Sequence, residues 1–222
     1  MSISLALDTE GAIANLDDLK DWIADEVDRD LSEITDKLDK WILLAESYYN
    51  RHLRTPDMEG EYLFSADAED MPLPSDYRGM RSIYVEGSPD RPLRAFSASA
   101  IRMEYDGTAS AYPAGYVLVS GGIRLVPPPS GEILLHMDYF QRITPLSVVA
   151  PSNWLLEKHP DAYVAAILFH YYRWAQNLEL ASAYKMMREE LKDEINGAAR
   201  RDRFGAGALV PNAMRQVRGA RC

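Results

Sequence analysis

GYVLVSGGIRLVPPPSGEILLHMDY, residues 115–139, decides the fold class. It reads as three short strands, 116–120, 123–126 and 133–139, with turns at Gly121-Gly122 and at Pro127-Pro128-Pro129-Ser130-Gly131. Gly-Gly is a preferred pair for a two-residue hairpin turn, because both central residues can take positive φ. Three prolines in a row donate no backbone hydrogen bonds and cannot sit inside a sheet. Helical periodicity lies on both sides of this small sheet. The expected fold class is therefore α+β: a mainly α-helical bundle, with helix pairs at both ends and a β-rich insert of short antiparallel strands in the middle.

Upstream, Asn15 is a good N-cap, and Asp17 and Asp18 suit the positive end of a helix dipole. Leu16, Leu19, Trp22, Ile23 and Val27 form one apolar stripe on a helix ending near Asp28. A second helix is expected after Leu31, capped by Ser32 and ending near Leu53, with Ile34, Leu38, Trp41, Ile42, Ala45, Tyr48 and Tyr49 as its stripe. Strand patterns occur at 61–65, 81–86 and 93–96, then a short helix at 97–105 and a loop at 106–115. Downstream, Asn153 caps residues 154–158, and Pro160 is placed to open a new helix. Tyr163, Val164, Ile167, Phe169, His170, Tyr171 and Trp174 make that helix apolar around most of its circumference, the mark of a core or interface helix. A last helix runs over about 178–201 with Leu180, Tyr184, Met187, Leu191 and Ile195 as its stripe. The expected organisation is a flexible lead (1–14), a helical pair (15–54), a β-rich insert (55–145), a second helical pair (152–203) and an extended basic tail (204–222).

With 222 residues, the chain has room for one large domain or two small ones. No run of about 18 apolar residues occurs, so no transmembrane helix is expected. The N-terminus has no basic region and carries acids early, so no secretory signal is expected either. The only cysteine is Cys222, which excludes an internal disulfide and a Cys-based metal site within one chain. The net charge is −10, but it is unevenly spread. Asp17, Asp18, Asp21, Asp25, Glu26, Asp28 and Asp30 cluster near the start, whereas Arg200, Arg201, Arg203, Arg215, Arg218 and Arg221 face Asp202 alone near the end. A solvated acidic face with a disordered basic tail is one reading; docking of the tail on an acidic partner or another copy is the other. An acidic body argues against general nucleic-acid binding.

Motifs of catalysis are missing. His52, His136, His159 and His170 do not pair on one helix, and HExxH, GxSxG, P-loop and GxGxxG patterns are all absent. Asp17, Asp21 and Asp25 share a helix face without the oxygen-rich loop of a calcium site, so a solvent-facing or pore-facing acidic stripe is expected. Tyr163, Tyr171, Tyr172 and Trp174 have the spacing of a core or subunit interface more than of a stacking ligand site. No catalytic residue, metal or cofactor is expected.

Four stretches, in order, resemble one family. They are NLDDLKDWIADEVDRD followed by LDKWILLAESYYNRHLR, then MPLPSDYRGMRSIYVEG, then GYVLVSGGIRLVPPPSGEILLHMDYF, then SNWLLEKHPDAYVAAILFHYYRW. The third looks like a strand, a glycine turn, an I-R-L-x-P strand and a further strand; the fourth looks like a W-L-L-x-x-x-P-D-x-Y helix start. Over roughly residues 15–200 the chain resembles the head-to-tail adaptor (connector) proteins of tailed bacteriophages and gene transfer agents. The resemblance implies a virion neck protein, assembled in the host cytoplasm, forming a ring of usually twelve copies beneath the portal around a DNA channel. Its implied partners are the portal protein, a downstream neck or tail protein and copies of itself, with DNA only as passing cargo and no membrane. It implies portal contact through Arg200, Arg201, Arg203, Phe204, Leu209, Val210, Arg215, Arg218 and Arg221. It also implies core or ring-interface roles for Tyr163, Ile167, His170, Tyr171 and Trp174. Another neck protein (head-completion or tail-terminator) or a non-viral interaction adaptor are the alternatives. Opposite charges at the two ends suit head-to-tail docking, which makes rings when the rotation closes. Acids lining a conduit would keep DNA from sticking.

Overall fold

A computed structural model describes residues 13–88, 91–97 and 108–204. The chain divides into two compact units: Met1–Pro56 with Pro145–Cys222, and Asp57–Thr144. The first is helical and the second is β-rich, which makes the fold α+β.

In the helical unit, α1 (Leu16–Glu26) starts where Asn15 Oδ1 accepts hydrogen bonds from the backbone N–H of Asp17 and Asp18, at 2.9 and 3.0 Å. Beyond its end, Asp28 turns the chain with φ 51, a left-handed conformation that Asp tolerates better than most residues. α2 (Leu31–His52) then begins with Asp30, not Ser32, at the cap position, because the tight left-handed turn brings the chain into helix two residues early. α3 (Trp154–Lys158) is capped by Asn153, whose Oδ1 accepts from Leu156 N–H at 2.9 Å. α4 (Pro160–Trp174) has proline at its first position, where the missing N–H has no helical partner to lose. α5 (Leu178–Phe204) comes after a reversal at Gln176, φ 59.

Helix α4 is the centre of this unit. Seven consecutive residues, Ala162 to Leu168, are buried, so its whole circumference is covered. It packs against α2 and α5 and more lightly against α1. Trp41 of α2 meets Tyr171 edge-on at 5.8 Å between ring centres, and Tyr172 stacks on Tyr184 of α5 at 5.4 Å. The α5 stripe read from the sequence is right in part. Ile195 is buried and Tyr184 and Leu191 are half-buried, but Leu180 and Met187 are exposed, and Ala181, Arg188 and Ala199 complete the buried seam. α5 approaches the bundle through small alanines and the stem of one arginine, which rotates its seam away from the larger apolar residues.

The β-rich unit holds β1 (Glu59–Ala66), β2 (Asp70–Pro72), β3 (Tyr77–Val85), β4 (Arg94–Ala95), β5 (Gly115–Val119), β6 (Gly122–Val126) and β7 (Ile133–Gln141). They form two sheets, in the orders β1-β7-β3 and β2-β6-β5-β4. Residues 115–139 therefore do not make one small sheet: β5 and β6 form a hairpin in one sheet, and β7 is the central strand of the other. The proline-rich connection cannot extend a ladder, and it carries the chain across between them. β4 pairs with β5 in parallel, so the insert is not wholly antiparallel. Both sheets feed one core, with Ile83, Leu135 and Met137 from the first and Tyr116, Ile123 and Leu125 from the second. Most of the predicted 97–105 helix, and nearly all of the lead, lie outside the described residues.

The glycine turn is also shifted by one. Ser120 and Gly121 form it, and only Gly121 takes positive φ, at 80°. Gly122 is already in β6, and a Cβ there would sit 2.5 Å from the Met71 carbonyl oxygen of β2. Gly122→Ala should thus push β2 off β6 and cost about 1–3 kcal/mol in a denaturant titration. An unchanged midpoint would show that the two strands are not this close.

Candidate functional site

The helical unit carries a buried cation, Arg188 of α5. Its guanidinium lies 3.8 Å from the centre of the Tyr48 ring and 4.6 Å from that of Phe169, so two aromatic faces replace water around the cation. Arg188 Nη2 donates to Glu189 Oε1 at 2.9 Å, and the Tyr48 hydroxyl donates to Glu189 Oε2 at 2.7 Å. Partial burial works against the Glu189 carboxylate, but hydrogen bonds from Tyr48, Arg188 and Lys192 hold its pKa down at about 2. Burial and the Glu189 bond push Tyr48 up to about 12. Arg188 Nε has no hydrogen-bond partner among the described residues, so stacking is a large part of what holds this cation.

His170 lies within reach of that charge. Burial, then Arg188 and Arg173, push its pKa down from 6.5 to about 4. The unfolded chain takes up the proton near its ordinary pKa and the folded protein only near 4, so this histidine makes folding weaker as pH falls from 6.5 towards 4. His170→Gln should remove about 1–3 kcal/mol of that acid loss, read as the difference between parent and variant urea midpoints at pH 7 and pH 4.5. Buried Glu46, whose pKa is raised, acts in the opposite sense, and its contribution cancels in that difference. Equal acid loss in both proteins would mean that His170 is solvated.

A second network stitches the segment before α3 to α2. Glu46 Oε1 accepts from Leu146 N–H at 2.7 Å and from the Tyr163 hydroxyl at 3.3 Å, and Asn153 Nδ2 donates to the Tyr163 oxygen at 2.8 Å. The Tyr49 hydroxyl donates to the Ala162 carbonyl at 2.9 Å. These polar groups serve other parts of the fold and are not presented to a ligand.

The residues singled out from the sequence fall in different places. Tyr163 and Ile167 are fully buried, Tyr171 is buried, His170 is half-buried and Trp174 is 45% exposed, with Lys37 Nζ 4.3 Å from its ring centre. Arg200, Arg201 and Arg203 are exposed near the end of α5, and Phe204 is its last residue. Leu209, Val210, Arg215, Arg218 and Arg221 lie outside the described residues. Sequence reasoning misses Arg188, Glu189 and Glu46. The available signal is spacing, since Arg188 lies seven residues after Ala181 and seven before Ile195, in line with the buried seam.

Charge is segregated along the unit. α2 and α5 run parallel: Tyr48 bonds Glu189, and six residues on, Arg54 N–H donates to Asn196 Oδ1 at 3.0 Å. Asn196 Nδ2 also donates to the His52 carbonyl at 3.0 Å, which ties the end of α2 to α5. Around them is a recess of about 590 Å³ lined by Arg54, Arg200 and Arg203, with Asp193 as the one acid among its described residues. At the other end of α2, about 33 Å away at 1.5 Å per residue, Asp25, Asp28, Asp30 and Glu33 surround Arg29. Acids at helix starts and bases at helix ends complement the helix dipoles. Among the described residues no His, Cys, Asp and Glu group is arranged to hold a metal, and no helix is long and apolar enough to cross a membrane.

A family model described as SU10 adaptor protein matches residues 14–215. No curated protein matches the chain.

Proposed function

The chain belongs to the SU10 adaptor protein family and is a phage adaptor, and from that premise we propose that it is the head-to-tail connector of a tailed phage or phage-like particle. Copies form a closed ring beneath the portal and extend the DNA channel toward the tail, with a downstream neck or tail protein on the far side. The basic end, Arg200, Arg201 and Arg203 with the residues after them, contacts the portal. The role is structural.

The observation that carries this reading is the extent of the family match, which takes in the helical unit and the β-rich insert together. The separation of the acids around the start of α2 from the arginines near the end of α2 and of α5 supports it, because a chain with unlike ends favours heterologous contacts over self-complementary ones. Cryo-electron images of the particle test it. A ring of this chain between portal and tail is the expected result, and absence of density for it at that position would refute the proposal.

A further inference from the structure

Gly197 stands in the interior of α5, where glycine is a weaker helix former than any residue but proline. Crowding does not require it there. A Cβ at that position would meet only Arg201 Nη1, at 3.6 Å, an ordinary contact. Backbone conformation does not require it either, since its φ is not positive. What the missing side chain leaves is space: Gly197 and Ala199 line the recess of about 590 Å³ at the ends of α2 and α5.

The walls of that recess are cationic and braced. Arg54 comes from just after α2, Arg200 and Arg203 come from α5, and all three are exposed. Asp193, the acid in the recess, is paired with Lys192 at 3.0 Å, so it does not cancel the arginines. Besides its bonds to Arg54 N–H and the His52 carbonyl, Asn196 donates from Nδ2 to the Lys192 carbonyl at 3.0 Å. The Arg54 guanidinium donates to the Asn50 and Leu53 carbonyls. Walls already ordered in this way lose little freedom when an anion enters.

Guanidinium groups receive carboxylates through paired, charge-assisted hydrogen bonds. Duplex DNA needs a cationic stripe that follows its phosphates, and a chain of net charge −10 repels it as a whole. A short acidic peptide needs only one concave spot. We propose that this recess receives an acidic segment of the protein docked at the basic end, with carboxylates set between Arg54 on one side and Arg200 and Arg203 on the other. That the docked protein is the portal rests on the reading above; the chemistry of the occupant does not.

Fluorescence anisotropy of the full-length protein with a short labelled polyglutamate peptide tests it, beside a labelled DNA duplex of equal charge. Gly197→Leu leaves every charge in place, favours the helix and fills the recess. It should weaken peptide binding about tenfold or more, with the melting temperature unchanged or raised. Arg54→Gln and Arg200→Gln should each weaken it about fivefold or more. Lys185→Gln, the same change of charge about 18 Å away along α5, should leave it unchanged. If Gly197→Leu melts lower than the parent, the two arginine variants, at exposed positions, decide. The proposal falls if peptide binding survives Gly197→Leu in a protein as stable as the parent, or survives both arginine changes. It also falls if Lys185→Gln weakens binding as much as they do, or if the duplex binds as tightly as the peptide through the same arginines. In particles, Gly197→Leu should lower incorporation about tenfold; normal incorporation by a variant that no longer binds the peptide would overturn the docking role. Cryo-electron images with the basic end turned away from the portal would refute the portal reading and leave the acidic-peptide site standing.

Discussion

Ala165→Pro should collapse the helical unit. Ala165 is the sixth residue of α4, fully buried in the middle of its buried run. Proline there removes the N–H that bonds the Asp161 carbonyl and drives its ring into that same oxygen, at a cost of about 3 kcal/mol or more before packing is counted. The bend would also pull Ile167, Leu168 and Tyr171 out of register with α2 and α5, and each such buried side chain is a further loss. For a chain of this size a loss of about 3 kcal/mol lowers the melting temperature by about 6–12 °C. Differential scanning calorimetry is the check, and Pro160 is the internal control, since the same residue at the first position opens the helix without penalty. A melting temperature equal to that of the parent would mean that no helix passes through residue 165.

Ending the chain after Phe204 should separate folding from assembly. α5 is complete at that residue, so the truncated protein should keep its circular dichroism spectrum and its melting temperature. It should also fail to enter particles, with incorporation reduced at least tenfold, because Leu209, Val210, Arg215, Arg218 and Arg221 are removed together. Normal incorporation would refute the assignment of portal contact to those residues. A companion variant, with Arg200, Arg201 and Arg203 all changed to Glu in the full-length chain, divides the contact between the helix end and the residues after it. If both variants enter particles normally, the basic end is not the docking surface.

Much of the helical unit is legible in the sequence because its signals are local. Asn15, Asn153 and Pro160 announce helix starts through their own side-chain chemistry, and α4 announces its central place through apolar residues all round. The β-rich insert is legible as strands but not as sheets. Strand periodicity says which residues extend, but the partners of β7 are β1 and β3, whose sequences lie about 50 residues and more away. β2 gives no signal, because three residues with a terminal proline carry no periodicity. The α5 seam is hidden for a different reason. Apolar size finds Ile195 but draws the stripe off towards Leu180 and Met187, whereas the rest of the contact uses Ala181, Ala199 and the stacked Arg188, which no hydrophobic pattern ranks highly. Burying that arginine depends on Tyr48 and Phe169 from two other helices, a condition invisible to any window of sequence.

The two strands that begin and end the insert are hydrogen-bonded neighbours, with Glu59 opposite Phe140. The chain thus enters and leaves the insert one strand spacing apart, about 4.8 Å. A segment with adjacent ends is a cassette: its replacement by a longer, shorter or unrelated module need preserve only that spacing for the flanking helices to find one another again.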